Sequence, residues 1–307
     1  MKPLVQLLDG VVQYNRKVVL NRVSIAIKAD STMALIGESG SGKSTLGKAL
    51  LGLVPLHSGS LQFNGEEMRQ FTQDHRKRGQ MIFQDSYSFL NPLMRVRDIV
   101  MEPLLIHRLC SKNKRLDIVI DLLDSVGLGA AFMDRFPSQL SGGQRQRIGI
   151  ARALAIKPQF LILDEPFSAL DIETHDRMIE LLQKLKEEIK MSYLLISHDL
   201  FSVESLADEV AVIYQGEIVE SGATSLILKN PLHPYTQALC SAATIPDPKI
   251  ERSKKKLLLK GEISAEIPKK GCPLFARCPM SQPYCAEHKP LLRLKNERFI
   301  ACHLPYL

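Results

Sequence analysis

Eight residues, Gly37-Glu38-Ser39-Gly40-Ser41-Gly42-Lys43-Ser44, restrict their local fold more tightly than any other stretch of this chain. They satisfy the spacing G-x-x-x-x-G-K-S/T in full and are followed by Thr45. Glycine at 37, 40 and 42 lets the backbone wrap closely around phosphate, so that successive N–H groups face the anion. A helix beginning near Lys43 adds the positive end of its dipole. Lys43 reaches the outer phosphates, and the Ser44 hydroxyl joins the shell of a bound Mg2+. An apolar run, Met33–Ile36, precedes the loop and a helical stretch follows it. A Gly/Ser-rich linker lacks that strand–loop–helix order.

A second segment completes the chemistry. Leu161-Ile162-Leu163 ends in Asp164-Glu165. A strand closing on Asp164 places one carboxylate where it can hold Mg2+ through a water. Glu165 beside it can act as general base on an attacking water. Alone, an acidic pair before Pro166 is a weak signal. Downstream of a phosphate loop it predicts nucleotide hydrolysis.

Within 307 residues, 45% of them hydrophobic, there is room for a full core and an additional segment. The formal charge of +7 suits an anionic partner or membrane surface, but nucleotide is anionic too, and no nucleic-acid partner is expected. No apolar run approaches the roughly 18–20 residues needed to span a bilayer. Asp9 and Gly10 interrupt the first apolar stretch, so no secretory signal is expected. The expected location is the cytoplasmic face of the membrane, reached through a partner.

Three apolar runs, Met33–Ile36, Phe160–Leu163 and Tyr193–Ile196, predict buried parallel strands, each ending in a polar segment. Ile172–Lys190 has the spacing of an amphipathic helix. Alternation up to about Phe63 predicts antiparallel strands, and the stretch from Leu90 to Arg135 is helical in pattern. Val210–Gly222 predicts a hairpin turning at Gln215-Gly216. Beyond it the composition shifts, with Pro231, Pro234, Pro246, Pro248 and Lys254–Lys256. The fold expected is an α/β phosphate-loop NTPase core with an antiparallel β subdomain and an α-helical subdomain, plus a small C-terminal Cys-rich extension. The boundaries are 1–224 for the nucleotide-binding domain, with its helical part at about 88–155, and 225–307 for the extension.

Leu140-Ser141-Gly142-Gly143-Gln144 opens another helix with a Ser-Gly-Gly turn, a second anion site without a second lysine. LSGGQ shortly before LILDEP resembles the signature of the ATP-binding-cassette (ABC) family, from about Leu4 to Gly222. That resemblance implies a head-to-tail pair of cassettes, with ATP held between the phosphate loop of one and Ser141–Gln144 of the other. It further implies that Tyr14 stacks on adenine and that Gln84 contacts Mg2+ and the lytic water. Mg2+ then falls to Ser44, Gln84 and Asp164. Ser168-Ala169-Leu170-Asp171 resembles the loop crossing the dimer interface, and His198 the switch histidine at the γ-phosphate. The catalytic set is Glu165, His198 and Gln84.

Asn230–Leu239, NPLHPYTQAL, and Gln84–Leu93, QDSYSFLNPL, resemble the ATPases of oligopeptide, dipeptide and nickel importers, although Ser86 stands where those have proline. The resemblance implies peptide import, with nickel or a metallophore as the alternative. It also implies a second, different ABC ATPase subunit, two transmembrane permease subunits and an extracytoplasmic solute-binding protein. A soluble cassette acting on ribosome or DNA is the reading from another class, and it lacks the expected second cassette. Cys272, Cys278, Cys285 and Cys302 are spaced C-x5-C-x6-C-x16-C, without the tight knuckle of structural zinc sites. The expectation is a 4Fe-4S iron–sulfur cluster, with zinc, free thiols or a disulfide as alternatives and His288 and His303 as substitute ligands.

Overall fold

A computed structural model describes residues 2–84, 89–168, 170–242, 257–261 and 270–304. Asp85–Ser88, Ala169, Pro246, Pro248 and Lys254–Lys256 therefore lie outside the described residues. In chain order the strands are β1 (Pro3–Tyr14), β2 (Lys17–Lys28), β3 (Thr32–Ile36), β4 (Ser58–Phe63), β5 (Glu66–Glu67) and β6 (Gly79–Ile82). They continue with β7 (Phe160–Asp164), β8 (Ser192–Ile196), β9 (Glu209–Tyr214), β10 (Glu217–Ala223), β11 (Arg293–Lys295) and β12 (Arg298–Ile300). The α-helices begin with α1 (Lys43–Leu50), α2 (Gln73–Arg78), α3 (Val96–Ile106), α4 (Arg115–Ser125) and α5 (Gly142–Leu154). They end with α6 (Ile172–Ile189), α7 (Leu200–Leu206), α8 (Thr224–Lys229), α9 (Pro234–Ala242) and α10 (Pro283–Glu287).

These elements sort into two units, one of residues 1–27, 32–68 and 197–307, the other of residues 28–31 and 69–196. In the first, Asn15 and Arg16, at φ 47° and 67°, turn β1 into β2. Two successive positive φ angles suit the right-handed strand twist of a two-residue hairpin. β1 also pairs antiparallel with β4, giving the order β2-β1-β4-β5. β3 is buried at every residue and lies parallel to β9. β9 returns as β10 through Gln215 and Gly216, again at positive φ, so the hairpin anticipated from the sequence forms.

In the second unit β6, β7 and β8 are parallel, with β7 in the middle. Every residue of β7 and β8 is buried, which is why their sequences run apolar rather than alternating. α6 buries Met178, Ile179, Leu182 and Leu185, one stripe of an amphipathic helix. Asp171 caps its start by accepting the Thr174 N–H at 2.9 Å, and Lys190 closes it in the left-handed conformation.

The C-terminal residues depart from expectation. Anticipated as a small, separate Cys-rich extension, they are instead built into the first unit. β12 pairs with β10, matching Glu220 to Ile300, and β11 pairs with β12. Glu220 is fully buried, accepts the Leu232 and His233 N–H groups at 2.9 and 3.1 Å, and faces Arg298 at 3.5 Å. Arg298 also donates to the Leu226 and Asn230 carbonyls. A buried carboxylate persists only when its lone pairs are satisfied in this way. Among the described residues no helix is long and apolar enough to cross a membrane.

Candidate active site

β3 delivers the chain to Gly37, where a Cβ would fall 2.3 Å from the Ile213 carbonyl oxygen. Only glycine passes there. Gly42, at φ 107°, is the N-cap of α1, and no side chain caps that helix. A helix start without a side-chain cap is one whose backbone N–H groups can face a bound anion. The Ser41 hydroxyl is buried with no hydrogen-bond partner. Lys43, 7% exposed, folds back to donate to the Gly37 and Glu38 carbonyls at 2.8 and 3.0 Å. An uncapped helix start, an orphaned hydroxyl and a buried ammonium form a donor set that fits phosphate.

Glu38 is held from outside the loop. Its N–H donates to the Tyr235 hydroxyl at 2.6 Å, and its carboxylate accepts both terminal nitrogens of Arg277 at 2.8 and 2.9 Å. Sequence reading missed both partners, which lie 197 and 239 residues away, beyond the reach of any local motif. His198 lines, with Gly37, Ile36, Leu200, Leu239 and Ala242, a cavity of about 160 Å³. Its loop is set by the Ser197 N–H bonded to the Leu35 carbonyl and by Asp199 capping α7. Tyr14 ends β1 and is 44% exposed.

The other anticipated residues belong to the second unit. Asp164 terminates β7 and is 4% exposed. Glu165 takes φ 51°, uncommon for any residue but glycine, with its N–H on the Ile196 carbonyl at 2.9 Å. Ser168 Oγ donates to the Glu165 carbonyl at 3.1 Å. Gln84 follows β6 and is exposed. Ser141 and Gln144 close a reciprocal capping box at the start of α5, at 3.3 and 3.0 Å. A Cβ on Gly143 would meet Thr174 Cγ2 at 2.5 Å and Leu170 Cδ2 at 3.5 Å. The Ser-Gly-Gly turn is therefore seated against the start of α6 and the residue before its cap.

The 4Fe-4S expectation is corrected. Among the described residues no group of three or more His, Cys, Asp or Glu side chains is placed to hold a metal ion. Cys272, Cys278, Cys285 and Cys302 are free and line a cavity of about 20 Å³, space for about one water rather than a cluster. Burial pushes the Cys272 thiol up to about 12 and raises Cys278 and Cys302 as well.

A parallel strand feeding an uncapped, glycine-rich phosphate loop, with an acidic strand end elsewhere in the chain, defines a nucleotide-hydrolysing protein. A model of the ABC transporter family matches residues 20–168, and one of the oligopeptide/dipeptide transporter C-terminal region matches residues 219–285. Bacillus subtilis YkfD is 43% identical over 92% of this chain and 88% of its own length. The oligopeptide transport ATP-binding protein AppF of the same organism is 40% identical, with the same coverage. The oligopeptide transport ATP-binding protein OppF of Salmonella typhimurium is 41% identical over 91% of this chain and 86% of its own. Among solved structures, the dimeric ATP-binding cassette MJ0796, bound to ADP and Pi in a post-hydrolysis state, superimposes with a TM-score of 0.65. It shares 28% identity and covers 72% of this chain and 98% of its own. The chain belongs to the ABC transporter family as an ATP-binding, ATP-hydrolysing member. Within that family it groups with the oligopeptide/dipeptide transport ATP-binding proteins.

Proposed function

We propose that this chain powers the import of oligopeptides or dipeptides across a membrane, working from the cytoplasmic face with a second, different ABC ATPase and two permease subunits. An extracytoplasmic binding protein delivers the solute. The observation that carries the ATPase part is the phosphate loop, with its orphaned Ser41 hydroxyl and uncapped α1. The peptide part draws on the C-terminal region matched at 219–285.

ATP is the substrate. Lys43, Ser44, Thr45 and the backbone of Gly37–Gly42 bind its phosphates, and Tyr14 stacks on adenine. Glu165 takes a proton from the water that attacks the γ-phosphorus, while ADP leaves from the opposite side. Gln84 orients that water and His198 donates to the γ-phosphate. Ser44, Gln84 and Asp164 would hold Mg2+, whose chemistry is to neutralise charge on the phosphate oxygens. Ser141–Gln144 serve the nucleotide of the partner ATPase. The boundary near Thr224 then separates roles rather than compact units, the cassette chemistry before it and a stabilising segment after it.

The test is reconstitution of this chain with its permeases and partner ATPase in proteoliposomes. Peptide-loaded binding protein should stimulate ATP turnover and peptide uptake together. Turnover stimulated by a nickel chelate, and not by peptides, would reject the peptide assignment.

A further inference from the structure

Glu38 is an awkward residue for a loop built to receive a triphosphate. Its carboxylate adds a negative charge where the ligand brings several more, and like charges repel most strongly where water is scarce. The fold answers that charge with an arginine. Arg277 grips the Glu38 carboxylate through both terminal nitrogens at 2.8 and 2.9 Å. The two side chains are only 10% and 27% exposed. This is the planar two-point grip that guanidinium makes and ammonium cannot.

Glu38 is also fixed through its backbone. Its N–H donates to the Tyr235 hydroxyl at 2.6 Å, and its carbonyl accepts from Lys43 Nζ at 3.0 Å. Tyr235 packs on Tyr214 with ring centroids 4.6 Å apart, and the Arg277 guanidinium lies 5.9 Å from the Tyr214 ring. Arg277 itself sits on a tight turn. Its N–H and that of Cys278 both reach the Leu274 carbonyl, at 2.9 and 2.8 Å, and its own carbonyl accepts from Lys260 at 2.8 Å. The segment after the cassette thus reaches back to the phosphate loop and holds it at Glu38. Partnering with Glu38 pushes the Arg277 guanidinium further into its charged range.

We infer that Arg277 is a positioning residue for nucleotide binding: it neutralises Glu38 and holds the loop in the shape that accepts the triphosphate. The inference rests on reading Gly37–Thr45 as the nucleotide site, and it assigns the C-terminal segment a part in ATP affinity. The assembled transporter is the material for the test, with affinities for ATP, ADP and AMP and the KM and kcat of ATP hydrolysis as readouts. Arg277→Gln should weaken ATP binding and raise KM by about tenfold, within the usual coupling range of contacting residues, with kcat held within about twofold. The loss should grow from AMP to ADP to ATP, because the unneutralised carboxylate repels phosphates. Arg277→Lys, keeping the charge but losing the two-point grip, should fall between. In a Glu38→Gln background the Arg277→Gln substitution should cost less than about twofold, since no charge is left to neutralise.

An unchanged ATP affinity in Arg277→Gln would overturn the inference. So would a loss equal for all three nucleotides, or one undiminished in Glu38→Gln, because either marks a purely structural arginine. Should Arg277→Gln not assemble, Tyr235→Phe removes only the hydroxyl that accepts from Glu38. It should raise KM without lowering kcat, and an unchanged KM there would equally overturn the idea. Wild-type complex that binds no ATP would instead reject the reading of the loop itself.

Discussion

At Glu165 the backbone is held at φ 51°, in a region that costs a non-glycine residue of order 1–3 kcal/mol. The N–H bond to Ile196 and the Ser168 bond to its carbonyl stabilise that backbone conformation. Glu165→Gln keeps the shape and removes the proposed base. ATP turnover should fall about 10²- to 10⁴-fold while ATP still binds, a split that steady-state and binding assays on one preparation will reveal. His233 supplies a pH dependence. It is buried, accepts the Tyr235 N–H on Nδ1 at 3.1 Å, and burial drives its pKa from 6.5 down to about 3. The unfolded chain takes up a proton below 6.5 that the folded chain refuses. Stability is therefore whole above that pH and declines as pH falls toward about 3, where the folded ring would also protonate. Urea unfolding of His233→Gln should show a pH slope in this window shallower by about one proton, whatever the variant's absolute stability.

Among the elements, α5 and α6 show how short motifs are held in place. Ser141 and Gln144 satisfy each other's backbone donors, and Gly143 lets α5 approach Thr174. Ser141→Ala should lower unfolding free energy by about 1 kcal/mol, the usual cost of a lost cap. Gly143→Ala should cost about 1–3 kcal/mol, because its methyl group must displace Thr174 or separate the helices. Thermal melts of the two variants would rank them in that order. The LSGGQ motif was visible in the sequence, and so was α6. What the sequence did not show is that Gly143 meets Thr174, 31 positions further on by residue number, a packing fact with no local signature.

For the molecule as a whole, the segment after Thr224 is a structural component of the first unit. Arg298 and the fully buried Glu220 link β12 to β10, α8 and the turn before α9. Removing one member of a buried pair leaves the other charge uncompensated. Arg298→Ala should therefore destabilise the chain by about 3–5 kcal/mol, more than the deletion of any surface arginine. Equilibrium unfolding monitored by tyrosine fluorescence and circular dichroism would measure it, and a loss below about 1 kcal/mol would show that the pair is solvent-relaxed.

Local chemistry is written locally. The loop Gly37–Ser44, the acidic strand end at Asp164 and the Ser-Gly-Gly helix start each need particular residues at fixed short spacings. The sequence alone therefore determined an ATP-hydrolysing cassette with buried parallel strands and offered candidate residues for its site. The tail could not be read that way. Four cysteines at suggestive spacings implied an iron–sulfur cluster, but their placement around a water-sized cavity depends on long-range packing. The grip of Arg277 on Glu38 and the seating of β12 on β10 likewise join residues far apart in the chain, 239 apart in the first case. Pairings at such separation depend on how the whole chain closes on itself, and only the tertiary structure decides them.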